Sequence, residues 1–253
     1  MKQIRMPIVV LAISVLAVFG AQAAEVKAAT PARAEKVKPY EPEEGKTNGE
    51  RWWRGNNSRI MHDIAKMDGK IDIAIVGDSI TARWRGELWE KHWGAYRAVN
   101  MGIGGDQTQH VLWRLQNGNL DGYKARLFIV MIGTNNMWDK NADPNDVALG
   151  VKAILDEIAA RQPQANILLL GIFPTGEKPN PGRERRGDVN QLISKFAGGK
   201  VHYMDIGDKF IDPDGIISKE VMGDSLHLAP KGYDIWVESI SGKVEEPLGR
   251  SKQ

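Results

Sequence analysis

The chain has 253 residues, of which 42% are hydrophobic and 26% are charged, a composition typical of one globular domain with a sizeable core. Its 34 basic and 32 acidic residues nearly cancel, which argues against a nucleic-acid-binding protein because such proteins carry a strong basic excess. There is no cysteine, so the chain can form no disulfide and carry no lipid-modified cysteine.

The first 23 residues are predicted to be a secretory signal peptide. Lys2 and Arg5 precede an apolar run over residues 8–19, and the sequence AQA at 21–23 fits the small-residue cleavage pattern. The run is shorter than the roughly 20 residues of a membrane-spanning helix, which favours cleavage over a retained anchor. We therefore expect an exported protein, periplasmic or secreted, with no membrane span after cleavage.

A change in composition marks the start of the predicted catalytic domain. Residues 24–48 are rich in Ala, Lys, Glu and Pro without apolar periodicity, which predicts a flexible linker that carries no chemistry. We place one domain over residues 49–247. It begins with a predicted helix, because apolar residues recur there at the spacing of one helix face: Trp52, Trp53, Ile60, Ile64 and Met67.

Five apolar runs of strand length follow, and helix signals separate them. The strands are predicted at Ile71–Val76, Tyr96–Met101, Leu127–Ile132, Ile167–Ile172 and Val201–Ile206. Helices are predicted over Gln107–Leu115, from Asp143 to about Gln162, over Arg185–Phe196 and from Pro230 to about Val244. Alternating strands and helices imply right-handed crossovers, so we predict an α/β fold: a three-layer α/β/α sandwich around a five-stranded parallel sheet.

Polar residues interrupt the chain where the first predicted strand ends. In sheets of this kind, ligands bind beyond the carboxyl ends of the strands, which draws attention to Gly77-Asp78-Ser79. A serine is a poor nucleophile unless a base and an orienting acid lie close by. Asp224 and His227, three residues apart just before the last predicted helix, could supply both.

Two further segments follow predicted strands. Gly102-Ile103-Gly104-Gly105 is rich in glycine, but it lacks the G-x-G-x-x-G spacing and a Walker lysine, which disfavours nucleotide binding. Gly133-Thr134-Asn135-Asn136 could aim amide hydrogens into the same cleft, where they would stabilise an oxyanion. Each segment alone is more often an ordinary turn, but their joint occurrence in this order indicates an acyl-transfer site.

These four segments resemble the four blocks of the SGNH (GDSL-type) hydrolase superfamily. Within it, the stretches GIGGDQTQHVLWRLQNG, RQPQANILLLGIFPTGEKPNP and DSLHL are similar to the catalytic subunits of platelet-activating factor acetylhydrolase and their bacterial relatives. The likeness covers roughly residues 49–240. It implies a flavodoxin-like fold and a serine esterase that needs no metal and no organic cofactor.

The resemblance also assigns roles to residues of this chain. Ser79 would be the nucleophile, His227 the general base and then acid, and Asp224 the residue that fixes the tautomer of the histidine. The oxyanion hole would consist of the backbone N–H groups of Ser79 and Gly105 and the side-chain amide of Asn135.

The expected reaction is hydrolysis of a short-chain ester through an acyl-serine intermediate. The substrate is a small-molecule or carbohydrate ester, with an O-acetyl group on carbohydrate favoured. Ile80 and Leu226, the bulky neighbours of the nucleophile and the base, are predicted to close the acyl pocket, and Trp138 is predicted to line the cleft. Trp84, Trp89 and Trp93 are interpreted as core residues.

Three other functions stay open at this point. A lysophospholipase or thioesterase would need a long apolar channel, and an acetyltransferase would pass the acyl group to a sugar. A catalytically silent carbohydrate-binding envelope protein would keep the fold alone. The oligomeric state is also open, with a homodimer as one candidate. No metal site is predicted, because the other histidines show no ligand spacing: His62, His92, His110 and His202.

Overall fold

The computed structural model describes residues 36–249, and its centre is a five-stranded sheet. The strands run parallel in the order β2-β1-β3-β4-β5. The predicted five-stranded parallel sheet is therefore confirmed. Its strands are nearly continuous apolar runs because helices cover both faces. Their bounds are Lys70–Gly77 (β1), Ala98–Gly102 (β2), Lys124–Met131 (β3), Asn166–Leu170 (β4) and Val201–Met204 (β5).

Within residues 36–249, seven α-helices connect and flank the strands. Their starts follow capping chemistry: the Asp143 side chain accepts a hydrogen bond from the Asn145 N–H at 2.8 Å, and Pro144 occupies the first turn. Asn180 caps the sixth helix, which begins earlier than the predicted Arg185. The helices are Glu50–Ala65 (α1), Ser79–Ala82 (α2), Glu87–Trp93 (α3), Thr108–Arg114 (α4), Pro144–Arg161 (α5), Pro181–Ile193 (α6) and Pro230–Leu248 (α7).

The two faces of the sheet carry two separate apolar cores, as the predicted three-layer sandwich requires. Helices α1, α4, α5 and α6 pack on one face, while α2, α3 and α7 pack on the other. The second core is rich in aromatic rings, with the Trp84 centroid 5.1 Å from Trp93 and 4.8 Å from Tyr233. The core interpretation is confirmed for Trp84 and Trp93, whereas Trp89 is only half-buried.

The segment before α1 differs from the flexible linker predicted for residues 24–48. Over its described part, residues 36–48, the chain is tied to the domain by backbone and side-chain contacts. Thr108 Oγ1 donates to the Pro39 carbonyl at 2.7 Å, and the Glu43 N–H donates to the Gln109 carbonyl at 3.2 Å. The composition of the segment does not reveal these partners, because they lie on α4. The predicted signal peptide, residues 1–23, lies outside the described residues. Between residues 36 and 249, no helix has both the length and the apolar character needed to cross a bilayer.

Candidate active site

Ser79 stands at the carboxyl end of β1 as the first residue of the short helix α2. The carboxylate of Asp78 caps this helix by accepting the Ile80 N–H at 2.9 Å. The other end of α2 is held from outside: Tyr233 Oη donates to the Ile80 carbonyl at 2.7 Å, and Asn100 Nδ2 donates to the Thr81 carbonyl at 2.8 Å. The sharp change from strand to helix therefore holds Ser79 in a position where it lines a cleft.

The loop before α7 brings His227 and Asp224 to this serine. Ser79 Oγ lies 2.9 Å from His227 Nε2, and His227 Nδ1 lies 2.7 Å from Asp224 Oδ2. Asp224 Oδ1 also accepts the backbone N–H groups of Leu226 and His227, at 3.1 and 2.7 Å. Ser225 adopts a φ of 60°, which makes the turn tight enough for this arrangement. The structure thus joins the three predicted triad residues in one hydrogen-bonded chain.

The electrostatics of Asp224 suit an orienting acid. Burial acts to raise the pKa of this carboxyl, but the hydrogen bonds from the backbone and ring of His227 outweigh it and lower the pKa to about 2. Arg83 Nη1 lies 3.5 Å from Asp224 Oδ2 and adds a positive charge at the solvent side. The carboxylate is therefore ionised at neutral pH, as it must be to accept the ring N–H.

Hydrogen-bond donors line the opposite side of Ser79. Gly105 has a φ of 77°, and an added Cβ would overlap the Thr47 side chain, so both conformation and space favour glycine here. Among the described residues, no acceptor takes the Gly105 N–H. Asn135 Nδ2 donates to the Asp106 carbonyl at 2.8 Å, and its contact with Asp78 Oδ2 is long, at 3.4 Å. The predicted oxyanion-hole residues therefore meet at the Ser79 end of the cleft.

A buried ion pair lies directly behind these donors. Asp106 accepts hydrogen bonds from Trp53 Nε1 at 2.6 Å and from Arg114 Nε at 2.9 Å, and both charged side chains are fully buried. Arg114 Nη2 also donates to the Gly77 carbonyl at 3.2 Å. Burial raises the pKa of Asp106, whereas the charge of Arg114 and the bond from Trp53 lower it, leaving about 6. The network ties the glycine loop to the strand that carries Ser79.

Asp78, the neighbour of Ser79, is also buried. Burial is the main cause that raises its pKa to about 7, and the charge of Asp106 adds to the rise. Sequence reasoning gave Asp78, Asp106, Arg114 and Trp53 no individual role. The sequence signal for the two acids was a Gly-Asp pair after a strand: Gly77-Asp78 at the end of β1 and Gly105-Asp106 shortly after β2. Nothing in the sequence indicates that Arg114 is buried.

The cleft has a volume of about 800 Å³ and extends away from Ser79 along the edge strand β2. Leu226 lines it, as predicted. The other two predicted pocket residues do not line it. Ile80 is completely buried in the aromatic core, because its position in α2 turns the side chain away from the cleft. Trp138 is 55% exposed, and its ring packs against the Arg186 guanidinium at 4.9 Å.

The structure brings other residues to the cleft that the sequence did not single out for this place. They come from the segment before α1, from α1 itself and from the turn between α2 and α3, and they include Thr47, Trp52, Arg59, Arg83 and Arg85. Within the described part of the chain, no group of three or more potential metal ligands comes together. Of the other histidines, His92 accepts a hydrogen bond from Trp84 and pairs with Asp234, and His110 Nδ1 accepts the Gln107 N–H.

Comparison with known proteins assigns the family. Residues 75–235 match the model described as the GDSL-like Lipase/Acylhydrolase family. The chain belongs to this family. This GDSL-like acylhydrolase is 42% identical over 190 residues to the platelet-activating factor acetylhydrolase IB subunit alpha2 of Rattus norvegicus. The aligned region covers 73% of this chain and 80% of that protein. These relationships make the protein a carboxylic ester hydrolase.

Two solved structures illustrate that other proteins share the fold. A GDSL-like lipase from Bacteroides thetaiotaomicron superimposes with a TM-score of 0.61 at 16% identity, covering 78% of this chain and 97% of that chain. Est24, a carbohydrate acetylesterase from Sinorhizobium meliloti, superimposes with a TM-score of 0.53 at 19% identity, covering 70% and 99%. The predicted SGNH hydrolase fold is therefore confirmed.

Proposed function

We propose that this GDSL-like hydrolase removes short acyl groups, acetyl above all, from carbohydrate through an acyl-serine intermediate. The observation that carries the chemistry is the chain of two short contacts from Ser79 Oγ to His227 Nε2 and from His227 Nδ1 to Asp224 Oδ2, at 2.9 and 2.7 Å. Nucleophile, base and orienting acid stand in the order that serine hydrolysis requires.

In the proposed first half-reaction, Ser79 Oγ attacks the ester carbonyl while its proton passes to His227 Nε2. The carbonyl oxygen becomes an oxyanion, which accepts the N–H groups of Ser79 and Gly105 and one amide hydrogen of Asn135. Asn135 Nδ2 carries two hydrogens. One is donated to the Asp106 carbonyl at 2.8 Å, and the other, whose contact with Asp78 Oδ2 is long at 3.4 Å, is the one offered to the oxyanion. His227 then protonates the leaving alcohol oxygen, and the acyl group stays on Ser79.

The second half-reaction repeats these steps with water. Water gives a proton to His227 Nε2 and attacks the acyl carbonyl, and the bond between the acyl carbon and Ser79 Oγ breaks. The proton returns to Ser79 Oγ, and the carboxylic acid leaves. Asp224 stays ionised throughout and keeps the imidazole ring in place.

The residues that line the cleft favour an ester whose alcohol part is polar. An exposed tryptophan, Trp52, lies near the nucleophile, and Gly104 lies between the two residues. A Cβ added to Gly104 would be 3.4 Å from the Trp52 ring and 3.8 Å from Ser79 Cβ. Asn56 supplies a hydrogen-bonding amide in the same cleft, whereas the Asn100 amide is already bonded to the Thr81 and Gly102 backbone. A flat aromatic face with a nearby amide suits a sugar ring, which presents C–H faces and hydroxyl edges.

One observation favours a lipid acyl hydrolase as a second candidate. Met67 and Trp89 line the cleft and are partly exposed, so their apolar side chains could accommodate an alkyl chain. The two candidates differ in the acyl length that they predict, because a sugar acetylesterase prefers acetate and a lipid hydrolase prefers a long chain.

The deciding experiment is hydrolysis of p-nitrophenyl esters from acetate to palmitate by the wild-type protein, Ser79→Ala and the control Ser58→Ala. Ser58 is an exposed serine on α1 outside the cleft. We expect acetate to give the highest kcat/KM, Ser79→Ala to lower kcat about a million-fold, and Ser58→Ala to have no effect. A long-chain optimum would establish the lipid candidate, and activity in Ser79→Ala would disprove the proposed nucleophile. A peptide containing acetylated Ser79, found by mass spectrometry after rapid acid quenching, would identify the intermediate.

We also propose that the protein is exported and that its first 23 residues are removed. The support is the basic start, the apolar run and the AQA sequence at 21–23. Fractionation of the source cells combined with N-terminal sequencing tests this. We expect the protein outside the cytoplasm with Ala24 as its first residue. A cytoplasmic protein that keeps Met1 would contradict the proposal.

A further inference from the structure

The cleft is longer than an acetyl group needs, and one wall is a single face of α1. Trp52, Asn56, Arg59, Asp63 and Lys66 all line it, and their spacing of three and four residues places them on one side of the helix. At roughly 1.5 Å per residue, this wall is about 21 Å long. The turn between α2 and α3 forms the facing wall, and β2 forms the floor. The cleft is therefore a groove that can hold an extended ligand.

The groove carries a net positive charge. Arg59, Lys66, Arg83 and Arg85 line it, whereas Asp63 is the one carboxylate among its described lining residues. A channel lined by charges of one sign concentrates the field and attracts ligands of the opposite sign. The whole chain, in contrast, has a formal net charge of only +2.

Two of these cations have no ionic partner within residues 36–249. Arg59 pairs with Asp63 at 3.0 Å, and Arg83 lies 3.5 Å from Asp224. Lys66 and Arg85 are exposed and have no ion pair among the residues that the structure describes. Other exposed cations, such as Lys140 and Lys219, also have no ion pair among the described residues, but they lie outside the groove, so the position of Lys66 and Arg85 in it is what distinguishes them. Lys66 and Arg85 are therefore free to bind an anionic ligand.

We infer that the groove binds an extended, negatively charged ester substrate, namely an O-acetylated oligosaccharide that carries carboxylate groups. Trp52 packs against the sugar that bears the ester, while Lys66 and Arg85 bind carboxylates along the chain. This inference rests on the proposed esterase function and adds the charge and length of the substrate. The apolar side chains that line the cleft are compatible with it, because sugar C–H faces pack against apolar and aromatic surfaces.

The test uses one oligosaccharide in two forms. An acetylated oligogalacturonate and the same material with its carboxylates methyl-esterified differ in charge but keep the same acetyl groups, and acetate release is measured for both. For the wild-type protein at low salt we expect kcat/KM to be about tenfold higher for the free acid, and we expect this ratio to fall as salt screens the charges.

Two double variants show where the charge selectivity arises. Lys66→Gln with Arg85→Gln removes two charges from the groove, and Lys140→Gln with Lys219→Gln removes two exposed charges outside it. We expect the acid-to-ester ratio to fall close to one in the first variant and to stay at the wild-type value in the second. An equal fall in both would attribute the selectivity to net charge and overturn the assignment to the groove.

The failures of the two proposals are distinguishable. If the wild-type protein releases acetate from both forms at the same rate, the sugar esterase stands and the inference about charge is wrong. If it cleaves p-nitrophenyl acetate but neither sugar form, the proposed carbohydrate substrate is wrong and the inference is overturned with it. Faster release from an acetylated glycerophospholipid in vesicles than from the acidic oligosaccharide would assign the groove to a lipid and overturn the inference.

Discussion

The two sides of the Ser79 site are held in different ways. On the donor side, Gly105 and Asn135 lie against the fully buried Asp106–Arg114 ion pair. On the base side, His227 and Asp224 lie on a loop, and the Asp224 side chain is 51% exposed. Oxyanion donors act best when they are fixed before the reaction begins, which a buried network achieves. The base must exchange protons with an alcohol and with water, so that side stays open to solvent.

Among the changes that separate the two sides, the largest expected effect is on the open side. Asp224→Asn keeps an oxygen for the backbone N–H groups but removes the charge that orients the His227 ring, so we expect kcat to fall by about 10,000-fold. Because this side chain is half-exposed, Tm should stay near the wild-type value. Kinetics with p-nitrophenyl acetate and thermal unfolding measure both. The control is Asp214→Asn, at an exposed loop acid. Activity within tenfold of wild type would show that His227 is oriented by another group.

Changes on the buried side should lower the stability of the fold. Arg114→Met leaves the Asp106 carboxylate buried without its cation, so we expect the free energy of unfolding to fall by about 3–5 kcal/mol. Adding Asp106→Asn to this variant should recover part of the loss, because the unpaired charge is removed. Urea denaturation measures both changes. A loss below about 1 kcal/mol for Arg114→Met would contradict the structural role of the pair.

The donors themselves should affect rate more than binding. Asn135→Ala removes one oxyanion donor, and we expect kcat to fall by about 100- to 1,000-fold with little change in KM. Steady-state kinetics with p-nitrophenyl acetate separates the two parameters, and Asn141→Ala, at an exposed position, is the control. An increase in KM at constant kcat would instead place Asn135 in ground-state binding.

The smallest expected effect is the pH dependence of stability that Asp78 causes. Its pKa is about 7 in the folded protein against an ordinary value of 3.8, so the folded state binds this proton more tightly than the unfolded state does. The stabilisation is complete below pH 3.8 and is lost as pH rises towards 7. Asp78→Asn cannot titrate, so its stability relative to wild type should increase by about 2 kcal/mol between pH 5 and pH 8. Urea denaturation at both pH values tests this, and a constant difference would contradict it.

Much of the fold was predictable because local sequence and topology agree. The five strands are mostly apolar runs with single polar residues, such as Asp72 in β1 and Asn100 in β2, and Asp143-Pro144 starts α5 as its capping chemistry predicts. The triad was predictable for a related reason. Parallel strands place their carboxyl ends at one edge, so residues that directly follow them, such as Ser79, meet there.

The pocket was less predictable, because side-chain direction depends on tertiary packing. Ile80 directly follows Ser79 in sequence, but its side chain points into the core. Trp138 is close in sequence to Asn135, but its ring packs against Arg186. Trp52 and Arg59 are distant in sequence, and they reach the cleft only because α1 packs beside β2. The sequence shows an amphipathic helix there but not which neighbour its polar face meets.

The contact between Thr47 and the glycine loop sets a limit on how the enzyme can be shortened. Thr47 Oγ1 donates to the Gly105 carbonyl at 3.3 Å, and Gly45 packs on the Trp53 ring that donates to Asp106. The family match begins only at residue 75. A protein trimmed to that boundary would lose α1 together with the supports of its oxyanion donors. The smallest working unit therefore begins before the first helix, within residues 36–48.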